Sequence, residues 1–273
     1  MLIAQVTDTH IKANGRLAYD RVDTADKLAR CIAHLNRLPQ RPDVTLLTGD
    51  LVDAGRPGEY AVLRRLIAPL AMPVYVIPGN HDARGAFREA FTDHAYLPSG
   101  GEFLHYVIEQ HPLRLIGLDS TVPGKAHGEL CAERLAWLDA RLAEAPRRPT
   151  LVFMHHPPFL TGLHNMDLQN CRNGDALGGI IERHPQVVRL LCGHVHRAIQ
   201  LDWHGITASI APSPAHSVAY NLADDAPHDF TLEPATCHLH CWREDTGLIT
   251  HLTFIDAFDG PHPFCDPSGK LID

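Results

Sequence analysis

VTLLTGDLVDAGRPGEY, residues 44–60, is the stretch that decides the fold. Val44–Leu47 is a short run of apolar and β-branched residues, which reads as a buried strand. Thr48, Gly49 and Asp50 interrupt it with turn chemistry. Pro57 then opens an amphipathic stretch through Ile67, and proline suits the first turn of a helix. A buried strand, a polar turn and a helix together make the repeating unit of an α/β fold.

The same unit recurs on either side. Leu2–Val6 runs into TDTH, and residues 23–37 then read as a helix. Asp23 can cap it, and Leu28, Ile32 and Leu35 recur at helical spacing. Val74–Ile77 runs into PGNHD. Leu151–Met154 stops at His155 and His156, and Val187–Cys192 stops at GHVH, residues 193–196. Tyr106–Glu109 and Leu113–Leu118 are further strand candidates, with helices over 129–143 and 175–183. The expectation is an α/β core around buried sheet. After residue 197 helical signals fade and alternation takes over, in Ile199–His204, Ile206–Ile210, Thr236–Trp242 and Leu248–Ile255. A loop with Pro212, Pro214, Asp224, Asp225 and Pro227 lies between them. The chain is therefore expected to divide into a core, 1–198, and a β-rich cap or dimerisation segment with a loose tail, 199–273.

Composition excludes several function classes. The 273 residues carry 24 Lys plus Arg against 32 Asp plus Glu, a formal net charge of −8. That balance argues against a binder of nucleic acid polymers, which needs a basic surface. No run of about 18 apolar residues is present, so no membrane span is expected. The N-terminus MLIAQVTDTH lacks the pattern of a signal peptide. Seven widely spaced cysteines, with no CxxC pair, fit free thiols in a reducing cytoplasm. Histidine is the unusual residue: 20 of them nearly match the permanent cations.

Where those histidines stand carries the chemistry. Asp8 and His10, Asp50, Asn80 and His81, His155, and His194 and His196 all follow strand ends. Ligand sites in open α/β sheets lie at the carboxyl ends of strands. Turn preference alone explains an Asp or an Asn, but not four His, two Asp and an Asn in this order. The set mixes imidazole nitrogens with carboxylate and amide oxygens and contains no thiolate. That suits catalytic Fe, Mn, Zn or Co better than a closed structural zinc. Seven side chains give two ions four ligands each only if one bridges, and Asp50 has the two oxygens to do so. Two ions about 3.5–4 Å apart can share a hydroxide and clamp a phosphoryl group.

The blocks DTH at 8–10, GD at 49–50, GNHD at 79–82, HH at 155–156 and GHVH at 193–196 resemble those of the binuclear calcineurin-like metallophosphoesterases. Order and approximate spacing match over roughly residues 1–200. Within that superfamily the chain most resembles the class III cyclic nucleotide phosphodiesterase branch, which includes bacterial glycerophosphodiesterases. The resemblance implies a four-layer αββα sandwich with a small C-terminal cap that also makes a dimer or larger homo-oligomer. It implies Asp8, His10, Asp50 and His196 as ligands of one divalent ion, and Asp50, Asn80, His155 and His194 as ligands of the other. His156 would support from behind. His81 would bind the phosphate or protonate the leaving alkoxide, with Asp53 orienting it. His216, from the cap, and Tyr19 and Arg21, at the pocket mouth, would meet the substrate. The implied activity is hydrolysis of small phosphodiesters of glycerophosphodiester type, extending to aryl esters, by a metal-bound hydroxide. The alternative within the branch is a 3′,5′-cyclic nucleotide phosphodiesterase. A scaffold that kept the fold and lost the metals is the alternative of another class. Ala54 stands where protein phosphatases have Arg, and GNHD replaces their GNHE, so protein phosphatase activity is not implied.

CHLHC, residues 237–241, superficially resembles a zinc motif. On a strand Cys237, Leu239 and Cys241 face one way while His238 and His240 face the other, so the four cannot converge on one ion. The remaining histidines, His228 among them, stand in no ligand motif.

Overall fold

The computed structural model describes residues 1–272. In chain order the elements are β1 (Leu2–Val6), α1 (Thr24–Arg37), β2 (Val44–Thr48), α2 (Pro57–Ile67), β3 (Val74–Ile77), α3 (Arg84–Ala90), β4 (Tyr106–Ile108), β5 (Arg114–Gly117) and α4 (Ala132–Ala143). Then follow β6 (Thr150–Phe153), α5 (His164–Asp167), α6 (Gly174–Arg183), β7 (Val187–Cys192), β8 (Ile199–Trp203), β9 (Ile206–Ile210), β10 (Ser217–Val218), β11 (Phe230–Thr231), β12 (Thr236–Arg243) and β13 (Gly247–Phe254).

Two sheets form. One has the order β13-β12-β1-β2-β3, the other β4-β5-β6-β7-β9-β8. β1, β2 and β3 run parallel, as do β5, β6, β7 and β9. Strands buried on both faces read as continuous apolar runs, and every residue of β1, β2 and β6 is buried. Three hydrophobic clusters define four layers. Ala4, Val6 and Leu47 pack outward against Leu28, Leu35 and Leu63 of α1 and α2. Ile3, Leu46 and Tyr75 pack inward against Leu115, Phe153 and Leu191 of the other sheet. Val152 and Leu190 pack outward against Leu138 and Leu177 of α4 and α6. This is the αββα sandwich that the resemblance implies.

Local chemistry sets the helix ends. The Asp23 carboxylate accepts from the Asp26 N–H and caps α1. Glu59 accepts from the N–H groups of Ala54 and Arg56, at 3.0 and 3.1 Å, and closes the start of α2. The helix expected from residue 129 begins at Ala132. Residues 128–130 instead spend their backbone groups on Arg172: Arg172 N donates to Gly128 O at 2.8 Å, and Leu130 N donates to Arg172 O at 3.3 Å.

The described part of the expected cap, 199–272, divides between the two sheets and a loop. β8 and β9 complete the second sheet, and β12 pairs antiparallel with β1 to extend the first. Most of the late strands therefore belong to the core sheets, and β12 reaches a partner at the other end of the chain. What stands over the strand ends is the loop 211–235 with its short β10–β11 pairing.

Candidate metal centre

The parallel strands of both sheets deliver their polar turns to one edge, where the expected residues meet. Asp8, His10, Asp50, His155, His194 and His196 are buried and Asn80 is half-buried. Asp8, His10 and His196 bring one ligand atom each within 4.8 Å of one another, and so do Asp8, Asp50 and His155. The groups share Asp8, and Asp50 Oδ2 links them, 3.7 Å from His10 Nε2 and 3.3 Å from His155 Nε2.

The backbone at these positions is unusual. Asp8, His10, Asp50, His194 and His196 have φ of 54°, 42°, 48°, 74° and 57°. This left-handed region costs an L-residue about 1–2 kcal/mol, although Asp and His tolerate it better than most. Cross-loop hydrogen bonds hold it: Asp8 N to Gly49 O and His10 N to Asp50 O, both 3.0 Å. The His194 N–H donates to the Asp8 carboxylate at 3.0 Å. Two glycines make room. A Cβ on Gly79 would collide with Asp50 Oδ1, and one on Gly193 with Thr7 Oγ1.

Second partners fix the ring orientations. His155 Nδ1–H donates to Thr48 O at 2.9 Å, leaving Nε2 for the site. His196 Nδ1–H donates to the His216 carbonyl at 3.2 Å, and its Nε2 faces Asp8 Oδ1 at 3.3 Å. Such outer hydrogen bonds are what orient metal-binding imidazoles. His156 lies behind: Nδ1 meets the Ser120 hydroxyl at 2.8 Å and Nε2 faces Ala126 O at 3.2 Å. Both its nitrogens are engaged, so it offers no lone pair to an ion.

The donor set fits a pair of cations. His155 Nε2, His194 Nε2 and Asn80 Oδ1 are buried without hydrogen-bond partners, which is costly unless something else satisfies them. His10 Nε2 and His196 Nε2 face each other at 3.2 Å. Burial pulls the His10 proton affinity down, and the Asp53 and Asp50 carboxylates only partly offset it. Burial, with the His155 charge nearby, pulls His194 down to about 3. Both therefore present neutral imidazoles. Burial opposes protonation of His155 too, but Asp50 and Asp8 outweigh it and raise it to about 9. A cation entering there must displace that proton.

His81 and His216 lie on the same cavity, of about 370 Å³, with His10, Tyr19, Asp50, Asn80, His194 and His196. The His81 ring stands edge-on to His10, with centroids 4.6 Å apart. His216 is buried, 4.4 Å from the His196 ring and 5.3 Å from Tyr19.

Two expectations need correction. Asp53 orients His81 with its backbone: His81 Nδ1–H donates to Asp53 O at 2.7 Å. The Asp53 carboxylate makes its own contacts elsewhere, with the Lys12 ammonium and with His10 Nδ1 at 3.6 Å. Lys12 and His10 both sit on the loop after β1, so two donors draw the carboxylate there. Arg21 is exposed on the turn between Ala18 and Val22 and does not line the cavity. The turn directs Tyr19 to the cavity in its place. Met166, Gln169, Val218, His228, Asp229 and Phe230 also line it and escaped sequence reading. They come from α5, the turn just after it and the loop 211–235, which carry no periodic signal.

A family description, calcineurin-like phosphoesterase, matches residues 1–198. The chain belongs to this family. It is 42% identical over 274 residues to a protein of Arcobacter nitrofigilis named "Probable glycerophosphodiester phosphodiesterase GpdQ", with 100% of both chains covered. It is 36% identical to the glycerophosphodiester phosphodiesterase GpdQ of Enterobacter lignolyticus, over 88% of this chain and 86% of that one. It is 34% identical to the 3′,5′-cyclic adenosine monophosphate phosphodiesterase CpdA of Escherichia coli K12, over 85% and 84%. Among solved structures, a dimetal phosphatase from Danio rerio superposes with a TM-score of 0.68 at 14% identity, covering 94% of this chain and 99% of that one. That likeness supports the fold.

Proposed function

We propose that the chain hydrolyses small phosphodiesters of the glycerophosphodiester type. Asp8, His10, Asp50 and His196 would hold one divalent ion, and Asp50, Asn80, His155 and His194 the second. One observation carries this reading: two groups of buried ligand atoms share Asp8, and Asp50 Oδ2 links His10 of one to His155 of the other on the wall of a cavity that also holds His81 and His216. The kinship with two glycerophosphodiester phosphodiesterases supports the substrate class. The donor set accepts Fe, Mn, Zn or Co.

Bound there, two divalent ions supply a nucleophile at neutral pH and draw charge from the phosphoryl oxygens. The protein's own groups do the rest. Nδ1–H of His81 is tied to Asp53 O, so its Nε2 points to the reacting group. Burial would strip the His81 proton, but the Asp50 carboxylate and the Asp53 carbonyl outweigh burial and raise its affinity. His81 thus keeps a proton to give to the departing alkoxide. Burial, with His196 and His10 beside it, pulls His216 down to about 2. It therefore meets the substrate as a neutral hydrogen-bonding imidazole, and its Nδ1 has no protein partner.

Hydrolysis of glycerophosphoethanolamine, cyclic AMP and an aryl phosphodiester should be measured side by side on Mn²⁺-loaded protein. The reading expects the highest kcat/KM on the glycerophosphodiester. A clear preference for cyclic AMP at low concentration overturns it in favour of the cyclic nucleotide reading. Tyr19 and Phe230, 5.0 Å apart on the cavity wall, give that second reading a surface on which a purine can stack.

Two further expectations belong here. Exposed Leu252 and Phe254 on β13 and Phe258 beyond it support a homo-oligomer, which sedimentation tests; a monomer at micromolar concentration refutes it. All seven cysteines are free, which supports a reducing, cytoplasmic setting. No helix among the described residues is long and apolar enough to cross a membrane.

A further inference from the structure

A second cavity, of about 420 Å³, lies beside the first. Only Asn80 and His81 line both. Its remaining wall includes Ala83, Arg84, Thr121, Val122, Pro123 and Gly124. None of the residues assigned above as metal ligands, apart from Asn80, reaches it.

We infer that this second cavity is the subsite for the other ester arm of the diester, and that it takes an uncharged arm bearing hydroxyl groups. The inference rests on the phosphodiesterase reading. Phosphorus is tetrahedral, so its two ester oxygens leave in diverging directions. A phosphoryl group held against Asn80 and His81 sends one arm into the first cavity and the other into the second.

The wall chemistry selects the arm. Two nitrogens of the Arg84 guanidinium are already committed: Nε and Nη2 donate to the Asp119 carboxylate at 2.7 and 3.2 Å, and Nη2 also donates to Thr121 O at 2.9 Å. It lies over the Phe103 ring, 5.1 Å from the centroid. The Thr121 hydroxyl donates to Asp119 as well, at 2.6 Å. Asp82 accepts from Leu51 N, Gly79 N and the Tyr60 hydroxyl. The Arg84 charge is thus offset by Asp119 and Glu102 and the Asp82 oxygens are taken up by three donors, which leaves hydrogen-bonding groups to meet the arm: Arg84 Nη1, whose nearest carboxylate is Glu102 at 3.9 Å, and the accepting lone pairs of the Thr121 hydroxyl. The wall contains no Phe, Tyr or Trp, so a nucleobase finds no stacking face there. The first cavity has Tyr19, His216 and Phe230 and accepts the flatter or more apolar arm. The two cavities therefore expect two unlike arms, which a cyclic nucleotide does not have.

The test uses Mn²⁺-loaded wild type and two variants that fill the second cavity, Val122→Trp and Ala83→Trp. Three substrates release the same chromophore: glyceryl p-nitrophenyl phosphate, methyl p-nitrophenyl phosphate and p-nitrophenyl phosphate. Wild type should prefer the glyceryl over the methyl diester by about tenfold or more in kcat/KM, as sites that hydrogen-bond a substrate hydroxyl do. Either variant should erase that preference and leave the monoester within about twofold. Metal content and melting temperature check that the variants fold. An unchanged glyceryl preference in both folded variants overturns the subsite, and so does an equal loss on all three substrates. A wild type that hydrolyses the monoester but neither diester overturns the phosphodiesterase reading itself, and the subsite with it.

Discussion

His194-Val195-His196 and His238-Leu239-His240 have the same spacing and are all but buried, yet they do different work. His238 and His240 sit on β12 in extended backbone, so both rings point to the same face, with centroids 5.6 Å apart. There the Gln5 side chain accepts from His240 Nε2–H at 3.1 Å, and Thr250 meets Nδ1 at 2.8 Å. The intervening Leu239 packs on the opposite side with Cys237. His194 and His196 lie just past the end of β7 with positive φ, which splits them. His194 lies edge-on to His155, and His196 reaches Asp8 and His10. Residue type and spacing are equal; the backbone separates a pair of candidate ligands from a pair of core side chains.

The sharpest way to break that comparison is to remove one histidine from each pair. His194→Ala should lower kcat/KM by about 100-fold or more, because a candidate ligand is lost. His240→Leu should leave kcat/KM within about twofold of wild type in the folded fraction. Equal losses on a common substrate would show that the pairs are not different in kind.

The next largest effect is on acid stability. Burial, helped by the Arg189 charge, pulls His238 down to about 4. In the unfolded chain the same group takes its proton near pH 6.5. Between those values the unfolded state holds more protons, so stability is full above pH 6.5 and falls as the pH drops towards 4. For His238 this amounts to about 3 kcal/mol. Urea midpoints measured from pH 7 to 4 should fall steeply for wild type and less steeply for His238→Leu. Parallel curves would refute the assignment.

A smaller effect tests the outer partner of His10. Asp53→Asn should weaken metal binding about tenfold, read by Mn²⁺ titration. Lost hydrolysis with unaltered Mn²⁺ affinity would return Asp53 to His81. Smallest of all, His228→Ala at the exposed rim of the cavity should raise KM by about twofold and leave kcat alone, as rim contacts contribute little. A collapse of kcat would make His228 part of the machinery.

Much of this arrangement was legible in the chain. Strands such as Leu2–Val6 and Val187–Cys192 announce themselves because burial on both faces demands largely apolar runs, broken here only by Gln5 and Arg189. The ligand-type residues were legible because they stand where those runs stop. The destination of the late strands was not. Gln5 pairs with His238 across most of the chain, and alternation records a strand's faces but not its neighbour. Helix α3 was missed because it is one short stretch with Gly85 in its first turn and a single buried anchor, Phe87. Asp53 shows a finer limit. Whether its carboxylate or its carbonyl meets His81 depends on where Lys12 and His10 stand, and no spacing rule encodes that.

The left-handed residues at the strand ends also say how such a protein would decay. Five of the candidate ligands hold a conformation that glycine adopts without cost. In a lineage released from the need to hydrolyse anything, replacement of His196 or Asp50 by glycine would relieve about 1 kcal/mol of backbone strain. It would also remove side chains that have no hydrophobic reason to be buried. Selection for stability alone therefore erodes this edge of the molecule first and leaves the sandwich beneath it untouched. The five positions thus trade backbone ease for the donor atoms they bring to the site.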